Sequence, residues 1–244
     1  MLEYILLGIL QGIFEWLPVS SEGIVALLGN LMGGEFNPVD IALFLHLGTL
    51  LAVMIYFAGD WKDVLILKQK DLLVFLIITT AVSLPIGFLL YSAVRDAAVG
   101  AGLLFIVGSG LILTSFFHRT RKSLNLGMRK LAVLAGVLQG MAVIPGLSRS
   151  GSTIFGLSMG KLKPEQILRL SYMMSAPAVL ASSAYLLIRE PLMIHGWPAV
   201  VSSFAAGMLA LHLLMRLSQR INFFMLTLIF GILCLAGGAI SIMA

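Results

Sequence analysis

Charge is what this chain has least of. Only 11% of its 244 residues are Asp, Glu, Lys or Arg, while 59% are hydrophobic, a balance that excludes a soluble globular domain. Cysteine is nearly missing as well. Cys234 stands alone in the last apolar run, which excludes an intrachain disulfide and a cysteine metal site. No basic–aromatic cluster stands outside the apolar runs. The net charge of +5 therefore suits loops resting on an anionic membrane surface and makes no case for nucleic acid. No basic region precedes the first apolar run, and Glu3 does, which argues against a cleaved signal peptide.

What the chain has in plenty is apolar runs long enough to cross a bilayer, at 41–57, 72–91, 98–117, 167–188, 199–217 and 223–243. Two other regions are built from shorter arms. Residues 2–17 run up to Pro18, then come Val19-Ser20-Ser21-Glu22-Gly23 and a second arm ending near Met32. Likewise 131–144 and 154–160 flank Pro145-Gly146-Leu147-Ser148-Arg149-Ser150-Gly151-Ser152-Thr153. Each arm falls short of the roughly twenty residues that a span needs. A polar backbone break at membrane depth is tolerated only where it lines a cavity or is buried in protein. Both regions thus read as re-entrant helical hairpins. The plainer alternatives are one kinked span through Pro18 and a kinked, packed helix pair from which Arg149 snorkels.

The two halves share a plan. Offset by 128 residues, the window 8–23 matches itself at Gly8/Gly136, Leu10/Leu138, Gln11/Gln139, Gly12/Gly140, Ser20/Ser148 and Gly23/Gly151. Repeats at about 1–117 and 129–244 are therefore expected, joined by the basic segment 118–128. Three crossings per half is an odd number, so the second copy must enter with opposite orientation. Placing 118–128 in the cytoplasm puts all sixteen Lys and Arg except Arg95, Arg149 and Arg189 on that side, as the positive-inside rule requires. The expected fold is an all-α integral membrane protein in a single membrane domain, 1–244. It is an inverted-topology repeat with two re-entrant helical hairpins, six full transmembrane spans and both termini outside. In such architectures discontinuous helices meet near the midplane and build a binding site.

The two tips carry the chemistry. Gln11 and Glu15 are four apart and share a helix face. Ser20 and Ser21 occupy the N-cap region of one following arm, and Ser148 that of the other. Arg149 offers a fork of donors suited to phosphate oxygens, and Ser150 and Thr153 add hydroxyls at a helix start that favours anions. A carboxylate facing a dianion needs a cation or a proton. Glu15 is therefore expected to ligate Mg²⁺ or Ca²⁺ or to act as a general base. The bland reading is a Glu15–Arg149 ion pair that only ties the halves together.

Gln11-Gly12-Ile13-Phe14-Glu15 with Leu17-Pro18-Val19-Ser20-Ser21, and Pro145 through Thr153, resemble the two motifs of the BacA-type undecaprenyl-diphosphate phosphatase family, (E/Q)xxxE and PGxSRSxxT. The resemblance covers essentially the whole chain. It implies a multi-pass enzyme of the cell membrane that hydrolyses a polyprenyl diphosphate to the monophosphate carrier lipid, with a divalent cation. It also implies that Glu15, Arg149, Ser21 and Thr153 are essential, with Gln11 as the amide variant of the first acidic position. Relatives commonly read SSTGH where this chain has Ser20-Ser21-Glu22-Gly23-Ile24. A histidine is thus replaced by Ile24, and Glu22 is a candidate to take over acid/base work or to add a metal ligand.

Other histidines offer less. His46 begins a His-Leu-Gly-Thr run within a span and has two readings: approach to the site, or, the simpler expectation, a packed histidine hydrogen-bonded to a neighbouring helix; His118, His195 and His212 fall in loops or near a span end. The scattered methionines suit soft packing against prenyl chains. The expected nucleophile is either Ser21 or a metal-bound water activated by Glu15. Ser20, Ser148, Ser150 and Thr153 would bind the diphosphate with Gln11 and Arg149. The rival reading is a polyprenyl-phosphate or anion transporter on the same scaffold, and a homodimer is one assembly open to either.

Overall fold

The computed structural model of the chain describes residues 2–17, 20–32, 37–97, 101–119, 126–144, 146–160 and 162–217, with 225, 228–229, 231–236 and 239 beyond them. All regular structure among these is helical. Pro18, Pro145, most of the basic segment 118–128 and most of the run 223–243 lie outside the described residues.

The helices in order are α1 (Leu2–Phe14), α2 (Ser21–Met32), α3 (Pro38–Tyr56), α4 (Ala58–Leu65), α5 (Lys70–Ala97), α6 (Ala101–Arg119), α7 (Met128–Met141), α8 (Arg149–Ser158), α9 (Pro164–Arg189) and α10 (Trp197–Leu217). Among the described residues, four stretches are long and apolar enough to cross a membrane: Val39–Tyr56, Lys70–Ala93, Pro164–Arg189 and Ile194–Arg216. The chain is a membrane protein.

Helix starts follow local chemistry. Asn37 Oδ1 accepts from the Val39 amide at 2.9 Å with Pro38 in the first turn of α3, a side-chain cap and a preset φ acting together. Pro164 presets the first turn of α9, where Gln166 Oε1 accepts from the Lys163 amide at 3.1 Å. The short arms stop earlier than their apolar runs suggest. α1 ends at Phe14, leaving Glu15, Trp16 and Leu17 in a turn, and α7 ends at Met141. In each case the helix gives out ahead of a proline that cannot continue it.

Glycine decides how the arms pack. A Cβ at Gly8 or Gly12 would strike the α10 backbone at Ala199 or at Ser203 and Gly207, and one at Gly136 or Gly140 would strike α5 at Thr79 and Val82 or at Ser83 and Ile86. Two small residues four apart thus let α1 lie against α10 and α7 against α5 at backbone distance. The caps repeat as well. Ser20 Oγ accepts from the Gly23 amide at 3.0 Å and Ser148 Oγ from the Gly151 amide at 3.1 Å. Gly8/Gly136, Gly12/Gly140 and Ser20/Ser148 thus make matching contacts at the 128-residue offset, whereas Gln11 bonds Glu15 and Gln139 bonds Ser83 and the Met174 carbonyl.

Trp16 locks the first tip in place. It is 1% exposed, its Nε1 donates to Gly207 O of α10 at 2.7 Å, and its carbonyl accepts from Tyr172 Oη of α9 at 3.0 Å. The Trp16 and Tyr172 rings meet edge-on at 5.2 Å. Around them lies the largest core cluster, with Met173, Met174, Leu131 and Leu157.

Candidate active site

The two tips touch. Ser20 Oγ, besides capping α2, accepts from the Gly146 amide at 3.0 Å, and Ser150 Oγ donates to Leu17 O at 2.7 Å. Gly146 has φ +96°, a left-handed conformation natural to glycine. Its missing side chain leaves room for the α6 backbone at Val107.

At this junction Glu15 collects four donors. Oε2 accepts from Gln11 Nε2 at 2.8 Å and Ser21 Oγ at 2.7 Å, and lies 3.2 Å from His46 Nε2 of α3. Oε1 accepts from an Arg149 guanidinium nitrogen. Arg149 also donates to Ser171 O of α9 at 3.2 Å. Glu15 is only 4% exposed, and a buried carboxylate of this kind needs its full set of partners.

Two cavities open beside this cluster. A small one of about 20 Å³ lies between the tips, bounded by Ser21, Glu22, His46, Ser148, Arg149 and Ser150 among others. A large one of about 480 Å³ shares Glu22, His46 and Arg149 as its polar end and continues between α5, α7 and α9 past Pro85, Val143 and Val179. Its far part carries Phe88, Tyr91 and Tyr185, packed edge-on at 5.5 and 6.3 Å. A polar pole leading into a long apolar trough matches an amphiphile with an anionic head.

Glu15, Ser20, Ser21, Glu22, Ser148, Arg149 and Ser150 all line the junction. Gln11 stands behind it, reaching the site through Glu15. Thr153 does not face either cavity. One turn into α8, its hydroxyl bonds Arg149 O at 2.8 Å and Ser171 Oγ at 2.6 Å, so it braces the helix start against α9. His46 is the residue that sequence reasoning ranked too low, with approach to the site only its second reading. Expected to be a packing histidine, it sits on the carboxylate, and no periodicity in a uniformly apolar span distinguishes its face. Ile24 packs with Ala26, Val39, Val107 and Leu111, away from both cavities.

The metal expectation meets the donor set differently than foreseen. Both oxygens of Glu15 are engaged, so a cation there would first displace Arg149 or the Oε2 donors. Glu22 has no hydrogen bond or ion pair among the described residues and borders both cavities. Among the described residues no three His, Cys, Asp or Glu side chains are arranged to hold a metal ion by themselves; Glu22 is the carboxylate on which a cation could rest together with water and substrate oxygens.

The chain matches the family described as "Bacitracin resistance protein BacA" over residues 4–240. A protein of Haloarcula marismortui named undecaprenyl-diphosphatase is 38% identical, across 96% of each chain. Proteins of the same name from Methanothrix thermoacetophila and Methanococcoides burtonii are 36% and 34% identical, the first across 96% of each chain, the second across 99% of this chain and 97% of its own. With a match that spans both tips and every helix between them, this chain belongs to the BacA family.

Proposed function

We propose that the protein is a membrane phosphatase that hydrolyses undecaprenyl diphosphate to the monophosphate and inorganic phosphate, returning a glycan carrier lipid to use. The observation that carries this reading is the convergence of Ser21, Glu15 and Arg149, from two separate tips, with Arg149 also standing at the polar end of a lipid-shaped trough. The diphosphate reaches from the Arg149 end of the large cavity toward Ser148 and Ser150, where the space between the tips, about one water in size as it stands, opens to admit it, and the prenyl chain runs along the apolar trough.

Ser21 is the nucleophile that the geometry favours, because its Oγ already donates to Glu15 Oε2 at 2.7 Å. Arg149 leaves Glu15 for the terminal phosphate, where its guanidinium forks onto two oxygens. Ser21 Oγ then attacks the terminal phosphorus while Glu15 takes the hydroxyl proton. The bond to the bridging oxygen breaks, and prenyl monophosphate departs. Glu15 hands that proton to the departing monophosphate; water then splits the phosphoserine, its proton passing through Glu15 to the leaving Ser21 Oγ, and phosphate is released. Positioning and charge stabilisation supply most of the rate in phosphoryl transfer. A divalent cation, Mg²⁺ or Ca²⁺, held by Glu22 and the substrate's own oxygens would offset the diphosphate charge.

We read the broken pairs α1–α2 and α7–α8 as hairpins that enter from opposite faces of an inverted repeat with six spans in the cell membrane, both termini outside. The ion pair of Arg169 in α9 with Asp60 in α4, bridged by Gln69, supports putting the α4–α5 turn and the start of α9 on one face. Contact of Phe88 with Tyr185 supports putting the far ends of α5 and α9 on the other.

The test is phosphate release from undecaprenyl diphosphate by the purified protein in detergent, with and without chelator. Steady turnover supports the reading. Unchanged substrate in the presence of intact, monodisperse protein overturns it.

A further inference from the structure

The chemistry above uses groups carried by the two tips. One polar side chain of the site comes from neither. His46 lies inside α3, and its ring is held at both ends: Nδ1 is 2.7 Å from Ala42 O, one turn back in its own helix, and Nε2 is 3.2 Å from Glu15 Oε2. A backbone carbonyl can only accept, so Nδ1 carries a hydrogen and donates it. On the other side a ring nitrogen faces a carboxylate oxygen, so one proton lies between Nε2 and Oε2.

The same Oε2 receives Ser21 Oγ at 2.7 Å. The order is therefore serine, carboxylate, imidazole, carbonyl: a nucleophile, its base, and a third group that orients the base. When Arg149 turns to the substrate, Oε1 loses its partner and the carboxylate rests on its Oε2 contacts alone. Gln11 belongs to the same helical arm as Glu15 and moves with it. Ser21 must give up its proton during attack. Among the described residues, only His46 brings Glu15 a donor from an element independent of both tips, and that element is firmly fixed. Ser203 Oγ of α10 donates to Leu45 O at 2.9 Å, and a Cβ at Gly48 would strike the α10 backbone at Val200 and Phe204.

We infer that His46 is the positioning residue for the catalytic carboxylate, holding Glu15 Oε2 toward Ser21 from outside both signature motifs. This rests on the phosphatase reading of the site.

Three substitutions test it in phosphate-release kinetics with undecaprenyl diphosphate. His46→Gln can put an amide N–H near the position of Nε2, His46→Asn is too short to reach Glu15, and His46→Leu removes the donor. The expected pattern is a loss in kcat of about 10²-fold for Asn and Leu, the scale of a misplaced general base. Gln is expected to stay within about 10-fold of wild type, and KM to change little throughout, since the ring acts on the base and not on ground-state binding. Equal kcat for Gln and Asn, a loss confined to KM, or full activity of Leu overturns the inference. If Leu fails to fold, the Gln–Asn pair decides alone. An inactive wild type overturns the phosphatase reading, and the role of His46 with it; an active wild type with indifferent His46 variants overturns only the latter.

Discussion

Gly146→Ala is the sharpest probe of how the tips are held together. A Cβ at this position would lie 2.5 Å from Val107 Cα and 2.7 Å from the Val107 carbonyl carbon, with the carbonyl oxygen closer still. Ordinary carbon–carbon contact is about 3.5–4.0 Å, so the tip must retreat from α6 by about 1 Å. The neighbours that would have to move are backbone, since Gly110 of α6 is equally tight against Gly146 and Leu147. A left-handed φ costs a residue with a Cβ about 1–2 kcal/mol, and overpacking adds about 1–3 kcal/mol. Destabilisation of about 2–5 kcal/mol is therefore expected. Function should suffer more than stability. A 1 Å retreat stretches the Ser20 Oγ bond to the Gly146 amide, now 3.0 Å, and shifts Arg149 from Glu15; a displacement of that size costs about 10²-fold in rate. The assay is kcat for phosphate release beside a melting curve in detergent. Gly59→Ala, in exposed helix with open space around it, is the control and should leave both unchanged. A Gly146→Ala protein with turnover within twofold of wild type would refute the reasoning.

Two further outcomes follow from the same geometry. Arg149→Lys keeps the charge but cannot reach Glu15 and the Ser171 carbonyl together as a fork does; kcat should fall about 10²-fold, whereas Arg149→Ala should also lower stability by about 3–5 kcal/mol by leaving Glu15 buried without its cation. Glu22→Gln should reduce turnover and remove its sensitivity to chelator, measured as phosphate release across a Mg²⁺ titration; undiminished, chelator-sensitive turnover would show that Glu22 does not hold the cation.

Much of this was legible from the sequence for one physical reason: apolar arms too short for a bilayer, interrupted by polar residues, have few places to go. The breaks near Glu15 and Ser148, the serine caps and the meeting of Glu15 with Arg149 all follow from it. The repeat at Gly8/Gly136 and Gly12/Gly140 marked positions whose use, backbone contact with α10 and α5, shows only in the packing. His46 escaped because burial on every side of a span erases the polar–apolar contrast that would single out its face. Thr153 is read with the phosphate ligands from sequence; it shares the Arg149 face of α8 one turn on, but its hydroxyl is taken up by Arg149 O and by Ser171 Oγ of α9, partners that sequence does not show. The cation was assigned to Glu15 because sequence shows a carboxylate but not how many donors already surround it.

The account stands on Glu15 and Arg149 acting as one centre. The direct measurement is kcat for phosphate release by wild type, Glu15→Gln, Arg149→Ala and the double variant. Groups that work as a unit lose nearly everything with the first substitution, so the double variant should turn over within about 10-fold of the slower single variant. If the two losses multiply in full, the residues act independently and the shared site is contradicted.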